Sequence, residues 1–195
     1  MAKKVLFILG HPSKESFCKG LLDKYQKGAE SSNAICKSII ISDLTFNMNL
    51  SEGYKNRETM PLEEDIIQSQ QLIKWADHIV MAYPTWWGSM PALTKGFIDR
   101  VFLPGFAFKH HKGKNFPTKL LTGKSIRLLV TMDAPKWWFY IVYRAVQYRL
   151  LKQLVFDYVG FNPVKFSTFG AMRKSTEKQR LTWLNKTEKL GKQLK

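Results

Sequence analysis

The sequence predicts an α/β protein in which helices cover both faces of a parallel sheet. Uninterrupted apolar segments, which are typical of strands buried on both sides, recur along the chain. Helical segments with apolar residues three or four positions apart lie between them. This alternation favours parallel strands joined by helical crossovers. With 195 residues and no linker, repeat or low-complexity segment, the chain is expected to form one domain over residues 1–195.

Five strands are predicted, each from its own local pattern. KVLFILG and HIVMAYP, at residues 4–10 and 78–84, are continuous apolar segments. SIRLLVTM at residues 125–132 is similar, and AICKSIII at residues 34–41 contains more polar residues. PVKFSTFG at residues 163–170 alternates apolar with polar residues, which predicts a half-buried or edge strand.

Five helices are predicted between and after these strands. Apolar stripes at helical spacing mark three of them, and residues 139–157 and 176–194 form the other two. The stripes consist of Phe17, Leu21 and Tyr25, of Leu62, Ile66 and Ile73, and of Leu93, Phe97 and Val101. Five strands and five helices fit the flavodoxin-like order of a doubly wound sheet.

The composition limits the classes of partner and the compartment. The net charge is +16, and basic residues concentrate at residues 109–127 and from Arg173 onward. A solvated basic surface is the simplest interpretation, and an anionic membrane or small molecule is an alternative. No nucleic-acid partner is expected, because no zinc-finger, RNP-type or GXXG signature occurs. The two cysteines do not have metal-ligand spacing, so no metal site is expected. A cytoplasmic location is expected, because the sequence shows no signal peptide and no apolar span of about 20 residues.

The loop after the first strand contains candidate phosphate ligands. Ligands of doubly wound sheets bind at the carboxyl ends of the strands, where residues 10–18, 84–90 and 131–140 lie. In the first of these loops, His11 and two serines precede a helix, and a helix N-terminus suits a phosphate. Capping of that helix by Ser13 or Ser16 is the alternative interpretation.

The other two loops are rich in aromatic residues. Trp86 and Trp87 lie in a turn that Pro84 and Pro91 bracket, which suits either a wall for a planar heterocycle or packing against a helix or a second copy. The third loop, TMDAPKWWFY, leads from a strand into an aromatic segment. A phosphate site at one loop and flat walls at two others meet the needs of a phosphorylated isoalloxazine.

Three motifs resemble the flavin-binding loops of the NAD(P)H:quinone oxidoreductase (DT-diaphorase-like) family, especially its short bacterial members. They are HPSKESFC, YPTWWGSMPALTKGFIDRVFLPGFAF and VTMDAP, at residues 11–18, 83–108 and 130–135. The middle motif is highly specific, and the similarity runs from Lys4 to about Leu190. The resemblance implies a flavodoxin-like fold.

The resemblance also implies which residues hold the flavin and the substrate. The implied flavin ligands are His11, Ser16, Phe17 and Cys18 at the phosphate, Pro84, Thr85, Trp86, Trp87 and Gly88 along the ring, and Thr131, Met132, Asp133 and Ala134 at its pyrimidine end. The substrate pocket is implied at Phe106, Phe108 and His110. No catalytic acid or base is identified, since no histidine follows His111.

The function implied by the resemblance is a flavin-dependent NAD(P)H oxidoreductase. Hydride would pass from NAD(P)H to N5 of FAD or FMN, and then to a quinone or similar small acceptor in the same place, by a ping-pong mechanism. A homodimer with the active site at its interface is expected. The alternative is a flavoprotein regulatory subunit docked on a membrane transporter, as in the potassium-efflux ancillary type, which the basic surface and the segment KWWFYIVYR would suit.

Overall fold

The chain forms a five-stranded parallel sheet, described by a computed structural model over residues 2–50, 62–113 and 115–194. The strands are β1 (Lys4–Leu9), β2 (Ile35–Ile40), β3 (His78–Pro84), β4 (Phe108–Lys109), β5 (Thr118–Lys119), β6 (Ser125–Thr131) and β7 (Val164–Phe169). The sheet has the order β2-β1-β3-β6-β7, and β4 and β5 form a separate antiparallel pair. This order is that of the flavodoxin-like doubly wound sheet, so the predicted fold class is confirmed.

The central strand β3 is buried along its whole length. It pairs in parallel with β1 on one side and with β6 on the other, so that Val80 lies opposite both Phe7 and Arg127. Burial on both faces explains why these three strands are nearly continuous apolar segments. The edge strands β2 and β7 are partly exposed, as the alternating residues of β7 predict. All five predicted strands agree with the structure to within one residue at each end.

Helices cover the two faces of this sheet. They are α1 (Phe17–Glu30), α2 (Glu64–Trp75), α3 (Ala92–Val101), α4 (Lys136–Ile141), α5 (Val146–Leu150), α6 (Asp157–Val159) and α7 (Glu177–Lys192), with a π-helix at Leu151–Phe156 and 3-10 turns at Ile41–Asp43 and Met172–Lys174. Side chains of α1 and α7 pack on one face, and those of α2, α3 and the segment after β6 pack on the other. In the ranges described, no helix is long and apolar enough to cross a membrane.

Two glycines bring the backbones of α1 and α7 into direct contact. A Cβ atom at Gly28 would lie 2.1 Å from the carbonyl oxygen of Glu188, and one at Gly191 would lie 2.1 Å from that of Tyr25. No other residue type fits these two positions without separating the helices. The contact anchors α1, whose N-terminus faces the carboxyl ends of the strands.

The predicted helix over residues 139–157 is interrupted in the structure. The chain leaves α4 through Arg144 and Ala145, which adopt left-handed φ angles of 49° and 46°, before α5 begins. Phe139 and Tyr148 would face opposite sides of a continuous helix, because successive residues turn by about 100°. The interruption lets both side chains face the core, with ring centroids 4.8 Å apart.

Candidate functional site

The carboxyl ends of β1, β3 and β6 and the start of α1 surround a cleft of about 220 Å³. Residues from all three aromatic or polar loops line it. The lining residues are His11, Phe17, Cys18, Pro84, Thr85, Trp86, Thr131, Met132, Asp133 and Met172. The cleft therefore lies where the topology of a doubly wound sheet predicts a ligand.

The first turn of α1 points its amide groups at this cleft. Ser16 is the N-cap residue, and its hydroxyl accepts a hydrogen bond from the amide of Lys19 at 3.4 Å. The capping interpretation of Ser16 is therefore what the structure shows. The amides at the start of a helix have no acceptor within it, and the dipole is positive there. Because Phe17 and Cys18 line the cleft, an anion in the cleft would meet this helix end.

His11 stands beside the helix end as a neutral hydrogen-bond donor. The amide of Ser13 donates to its Nδ1 at 2.9 Å, and an amide N–H can only donate. Nδ1 also lies 3.1 Å from the carbonyl oxygen of Ser13, so its contacts with Ser13 fit a proton on either ring nitrogen. Burial lowers the pKa of His11, against a smaller opposing effect of the Ser13 backbone, so the ring is neutral at pH 7. The ring lies edge-on to Trp86, with 6.2 Å between centroids.

The loop after β3 is a tight hairpin turn with one half-exposed indole at the cleft and one fully exposed indole. Amide and carbonyl groups of Trp86 and Ser89 bond to each other at 2.8 and 3.0 Å. Between them, Trp87 and Gly88 have φ angles of 49° and 76°, as a type I′ turn requires. The side chain of Trp86 lines the cleft, whereas that of Trp87 is fully exposed. The turn thus orients the two tryptophans in opposite ways.

The loop after β6 is tied to both neighbouring strands. The amide of Thr85 donates to the carbonyl of Thr131 at 2.7 Å, and the amide of Met132 donates to that of Phe169 at 2.9 Å. Asp133 forms an ion pair with Arg173 at 3.2 Å and accepts a hydrogen bond from the amide of the same arginine. Backbone and side-chain bonds therefore fix this wall of the cleft.

Cys18 closes the inner end of the cleft as a neutral thiol. Its Sγ lies 3.4 Å from the hydroxyl of Thr131, and the residue is buried. Burial raises the pKa of the Cys18 thiol to about 11, although the bond to Thr131 acts in the opposite direction. The residue therefore offers no thiolate at neutral pH.

Nine of the thirteen residues that the motifs implicate line this one cleft. Ser16 caps the helix beneath it, and Trp87 and Gly88 form the exposed tip of the turn. Ala134 lies just beyond, and its carbonyl accepts a hydrogen bond from Ala171. The sequence prediction omits Met172, although it follows β7, whose carboxyl end reaches the same edge of the sheet.

The three predicted substrate residues lie apart from the cleft. Phe108 and His110 line a second cavity of about 450 Å³, together with Lys95, Asp99 and Tyr158. The ring of Phe108 meets those of His110 and Tyr158 edge to face, each at 5.3 Å. Phe106 is buried beneath the Lys74 ammonium group, 5.5 Å from its ring. The two cavities share no lining residue.

Metal ligands do not cluster in the part of the chain that the structure describes. No group of three or more His, Cys, Asp or Glu side chains there could hold an ion. The candidate chemistry of the cleft rests on amides, hydroxyls, one imidazole and aromatic rings.

Known proteins are similar to this chain in sequence and in fold. The chain is 30% identical to an uncharacterized NAD(P)H oxidoreductase of Haemophilus influenzae over 179 residues, which cover 90% of this chain and 87% of that protein. The NAD(P)H:quinone oxidoreductase of Methanothermobacter marburgensis has the same fold, with a TM-score of 0.82, 22% identity and complete coverage of both chains. So has the FMN-dependent NADH-azoreductase of Bacillus anthracis in complex with FMN, with a TM-score of 0.74, 17% identity, and coverage of 98% of this chain and 99% of that one.

The predicted family resemblance and the prediction of an NAD(P)H oxidoreductase are confirmed by the Haemophilus influenzae relative, and the two solved structures confirm the fold. The family described as having the flavodoxin-like fold matches residues 3–190, which is nearly the whole chain. The observed strand order is the one that this fold requires. The chain therefore belongs to the flavodoxin-like fold family.

Proposed function

We propose that this NAD(P)H oxidoreductase of the quinone-reductase type works through a flavin, FMN or FAD, held in the cleft at the carboxyl ends of β1, β3 and β6. The observation that carries the proposal is the convergence of three loops, distant in sequence, on one cleft. A structure of the same fold holds FMN, which is consistent with this class of cofactor. NADH or NADPH would be the electron donor, and a quinone or similar small molecule the acceptor.

The residues present fit a planar group that carries a phosphate. The N-terminus of α1 and the imidazole of His11 would supply hydrogen-bond donors for the phosphate. Phe17 and Trp86 supply aromatic surface for the ring. The charge of Asp133, the carboxylate in the lining, is compensated by Arg173. Hydrogen-bond donors and aromatic surface in one cleft match the phosphate and the ring of a flavin nucleotide.

The protein's part in the reaction is to bind, orient and shield. A bound flavin would supply the two-electron hydride chemistry, so donor and acceptor can take turns in one place, as a ping-pong scheme requires. The bond from Thr85 to Thr131 fixes the loop beside the ring, which keeps the reacting groups aligned. The cleft of about 220 Å³ is smaller than the roughly 300 to 1,000 Å³ of typical ligand sites, so a bound flavin would extend beyond the lining residues.

A homodimer would complete the open side of the site. A surface that we call the aromatic surface is exposed after β6 and consists of Trp137, Trp138, Tyr140, Ile141, Val142, Tyr143, Val146, Leu150 and Leu154. Exposed apolar surface of this extent marks an interaction site. Leu154 also lines the second cavity with Phe108 and His110, so these rings adjoin the same surface. We propose that they wall the substrate pocket of the second copy.

The oligomeric state tests the dimer directly. We expect sedimentation velocity to show a dimer for the wild type and a monomer for Leu154→Glu, because the charge would be buried in the interface. Leu181→Glu is the matched control, since Leu181 is equally apolar and exposed but lies on α7. A monomeric wild type, or dissociation by both variants, would remove the aromatic surface from this role.

Flavin titration tests the cofactor. We expect purified apoprotein to bind FMN or FAD with quenching of tryptophan fluorescence, because Trp86 lines the cleft. Titration with each flavin separates the two, and a chain that binds neither would refute the proposed function. The sequence-based prediction of a cytoplasmic protein is not needed for this test.

The regulatory-subunit alternative stays a prediction. The aromatic surface is flanked by the exposed Arg149 and Lys152, which would suit an anionic membrane face. Co-sedimentation with anionic vesicles that salt reverses would favour this alternative. Absence of binding at low salt would end it.

A further inference from the structure

Two buried side chains next to the loop after β3, Tyr83 and Gln147, each have one polar atom without a hydrogen-bond partner. Among the described residues, the buried atoms in this state are the Tyr83 hydroxyl, Nε2 of Gln147 and Nε of Arg100. Tyr83 directly precedes the cleft-lining loop, and Gln147 touches Thr85 within it. Two of the three atoms thus adjoin the candidate cofactor site.

Gln147 reaches the cleft through the hydroxyl of Thr85. That hydroxyl donates to Oε1 of Gln147 at 3.4 Å, while the amide of Thr85 donates to the carbonyl of Thr131 at 2.7 Å. The backbone of Thr85 is therefore fixed by the sheet, and Gln147 selects the direction of its hydroxyl proton. With the proton turned away, the oxygen lone pairs of Thr85 face the cleft that it lines.

The backbone before Gln147 supports a functional reason for its burial. Arg144 and Ala145 both adopt left-handed φ angles, which are costly for residues other than glycine. This turn leaves Val146 exposed and buries Gln147 to 5% exposure. A buried amide with an unpaired donor also costs stability, and an apolar side chain of the same shape would avoid that cost. Backbone strain at Arg144 and Ala145 and an unpaired donor at Gln147 thus occur within four consecutive residues behind the cleft.

We propose that Gln147 is a positioning residue for the flavin: by accepting the Thr85 proton, it presents the Thr85 oxygen as a hydrogen-bond acceptor to the bound ring. The inference rests on the proposed function and adds to it a residue that no motif of the sequence implicates. Gln147 does not line the cleft, so it acts through Thr85 and not by contact with the ring.

The test compares Gln147→Met with the wild type in the full-length protein. Methionine keeps the length and volume of glutamine but removes both amide atoms. We expect FMN or FAD, whichever the wild type binds, to bind about three- to tenfold more weakly, the range of one net hydrogen bond. The visible band of the bound flavin should shift, and the melting temperature of the apoprotein should not fall.

A double variant shows whether the effect passes through Thr85. Thr85→Val should weaken flavin binding to a similar degree, and Thr85→Val with Gln147→Met should bind no more weakly than the weaker single variant. Gln153→Met is the control, because Gln153 is exposed on the π-helix that follows. It should bind flavin like the wild type.

Three results would overturn the proposal. Wild-type affinity and spectrum in Gln147→Met would mean that the amide serves no ligand, as expected if an internal water satisfies it. A loss of affinity that only follows a fall in melting temperature would mean a structural role. Additive losses in the double variant would mean that Gln147 does not act through Thr85. Failure of the wild type to bind either flavin would instead refute the proposed function itself.

Discussion

The contact between α1 and α7 predicts opposite effects for the same substitution at two glycines of α1. Replacing a glycine within a helix by alanine stabilises a protein by about 0.5–1 kcal/mol where the space allows. At Gly20, a Cβ atom would lie 3.7 Å from Cδ2 of Leu184, which is an ordinary contact. Gly20→Ala is therefore expected to raise the free energy of unfolding by about 0.5–1 kcal/mol.

At Gly28 the same methyl group has no room. A Cβ atom there would lie 2.1 Å from the carbonyl oxygen of Glu188 and 2.8 Å from the amide nitrogen of Lys192. These are backbone atoms, so α7 must move by more than about 1 Å as a whole, and overpacking of this kind costs about 1–3 kcal/mol. After the helix-propensity gain is subtracted, Gly28→Ala is expected to lower the free energy of unfolding by about 1–2 kcal/mol.

Urea unfolding of both apoprotein variants, followed by circular dichroism, measures the difference. Because both variants gain the same helix propensity, they should differ by the overpacking cost of about 1–3 kcal/mol, which corresponds to about 2–12 °C in melting temperature for a chain of this length. A Gly28→Ala protein as stable as the wild type would refute the close approach of the two helices. A destabilised Gly20→Ala protein would refute the open space at that position.

Three further predictions follow from single residues. Burial lowers the pKa of His78 to about 3 from 6.5, so the folded state is most stable above about pH 6.5 and loses stability as the pH falls towards 3. His78→Gln should reduce the change in the free energy of unfolding between pH 6.5 and 3, as measured by urea unfolding. An unchanged pH dependence would contradict the burial of a neutral His78. The buried guanidinium of Arg100 pairs with the carboxylate of Glu63 at 2.6 Å, so Arg100→Met should lower the free energy of unfolding by about 3 kcal/mol in the same assay. Lys95→Met, which breaks an exposed pair with Asp99, should lower it by less than about 1 kcal/mol; equal losses would argue against the burial of Arg100. Trp86→Leu should weaken flavin binding about tenfold in a fluorescence titration. Trp75→Leu should not, because Trp75 ends α2 at the amino end of β3, opposite the cleft; the reverse order would place the ring outside the cleft.

The strands could be predicted because the pattern of apolar and polar residues in each strand reflects which of its faces are buried. β3 is buried on both faces and is apolar throughout, and β7 alternates because one side reaches solvent. Alternation with helices predicted that the strands are parallel, and the resemblance to the family implied their order. The helix ends followed where a cap marks them, as Ser16 does for α1.

The segment after β6 could not be predicted in this way. Apolar residues occur on every side of a helix drawn through it, so their spacing does not distinguish the buried Phe139 and Tyr148 from their exposed neighbours. The turn is made by Arg144 and Ala145 in left-handed conformations, for which the sequence gives no glycine or asparagine signal. The packing of the Phe139 and Tyr148 rings against the sheet determines where the helix is interrupted, and this packing cannot be predicted from the local sequence.

The site was predictable in its loops and less so in its side chains. The strand ends located the cleft, and the motifs supplied most of its lining. The opposite orientations of Trp86 and Trp87 depend on a turn type that needs the φ angle of Trp87 to be positive. The separation of Phe108 and His110 from the cleft depends on tertiary packing against Tyr158.

The most direct test of the central claim is an anaerobic titration of the flavin-loaded protein with NADPH or NADH, followed by a quinone, in a sealed spectrophotometer cell. If the bound flavin carries hydride from nucleotide to quinone, its absorption band near about 450 nm should bleach with one equivalent of reduced nucleotide per flavin and return with one equivalent of quinone. A band that persists with both nucleotides would contradict the account, because the bound flavin would then not accept hydride from either donor.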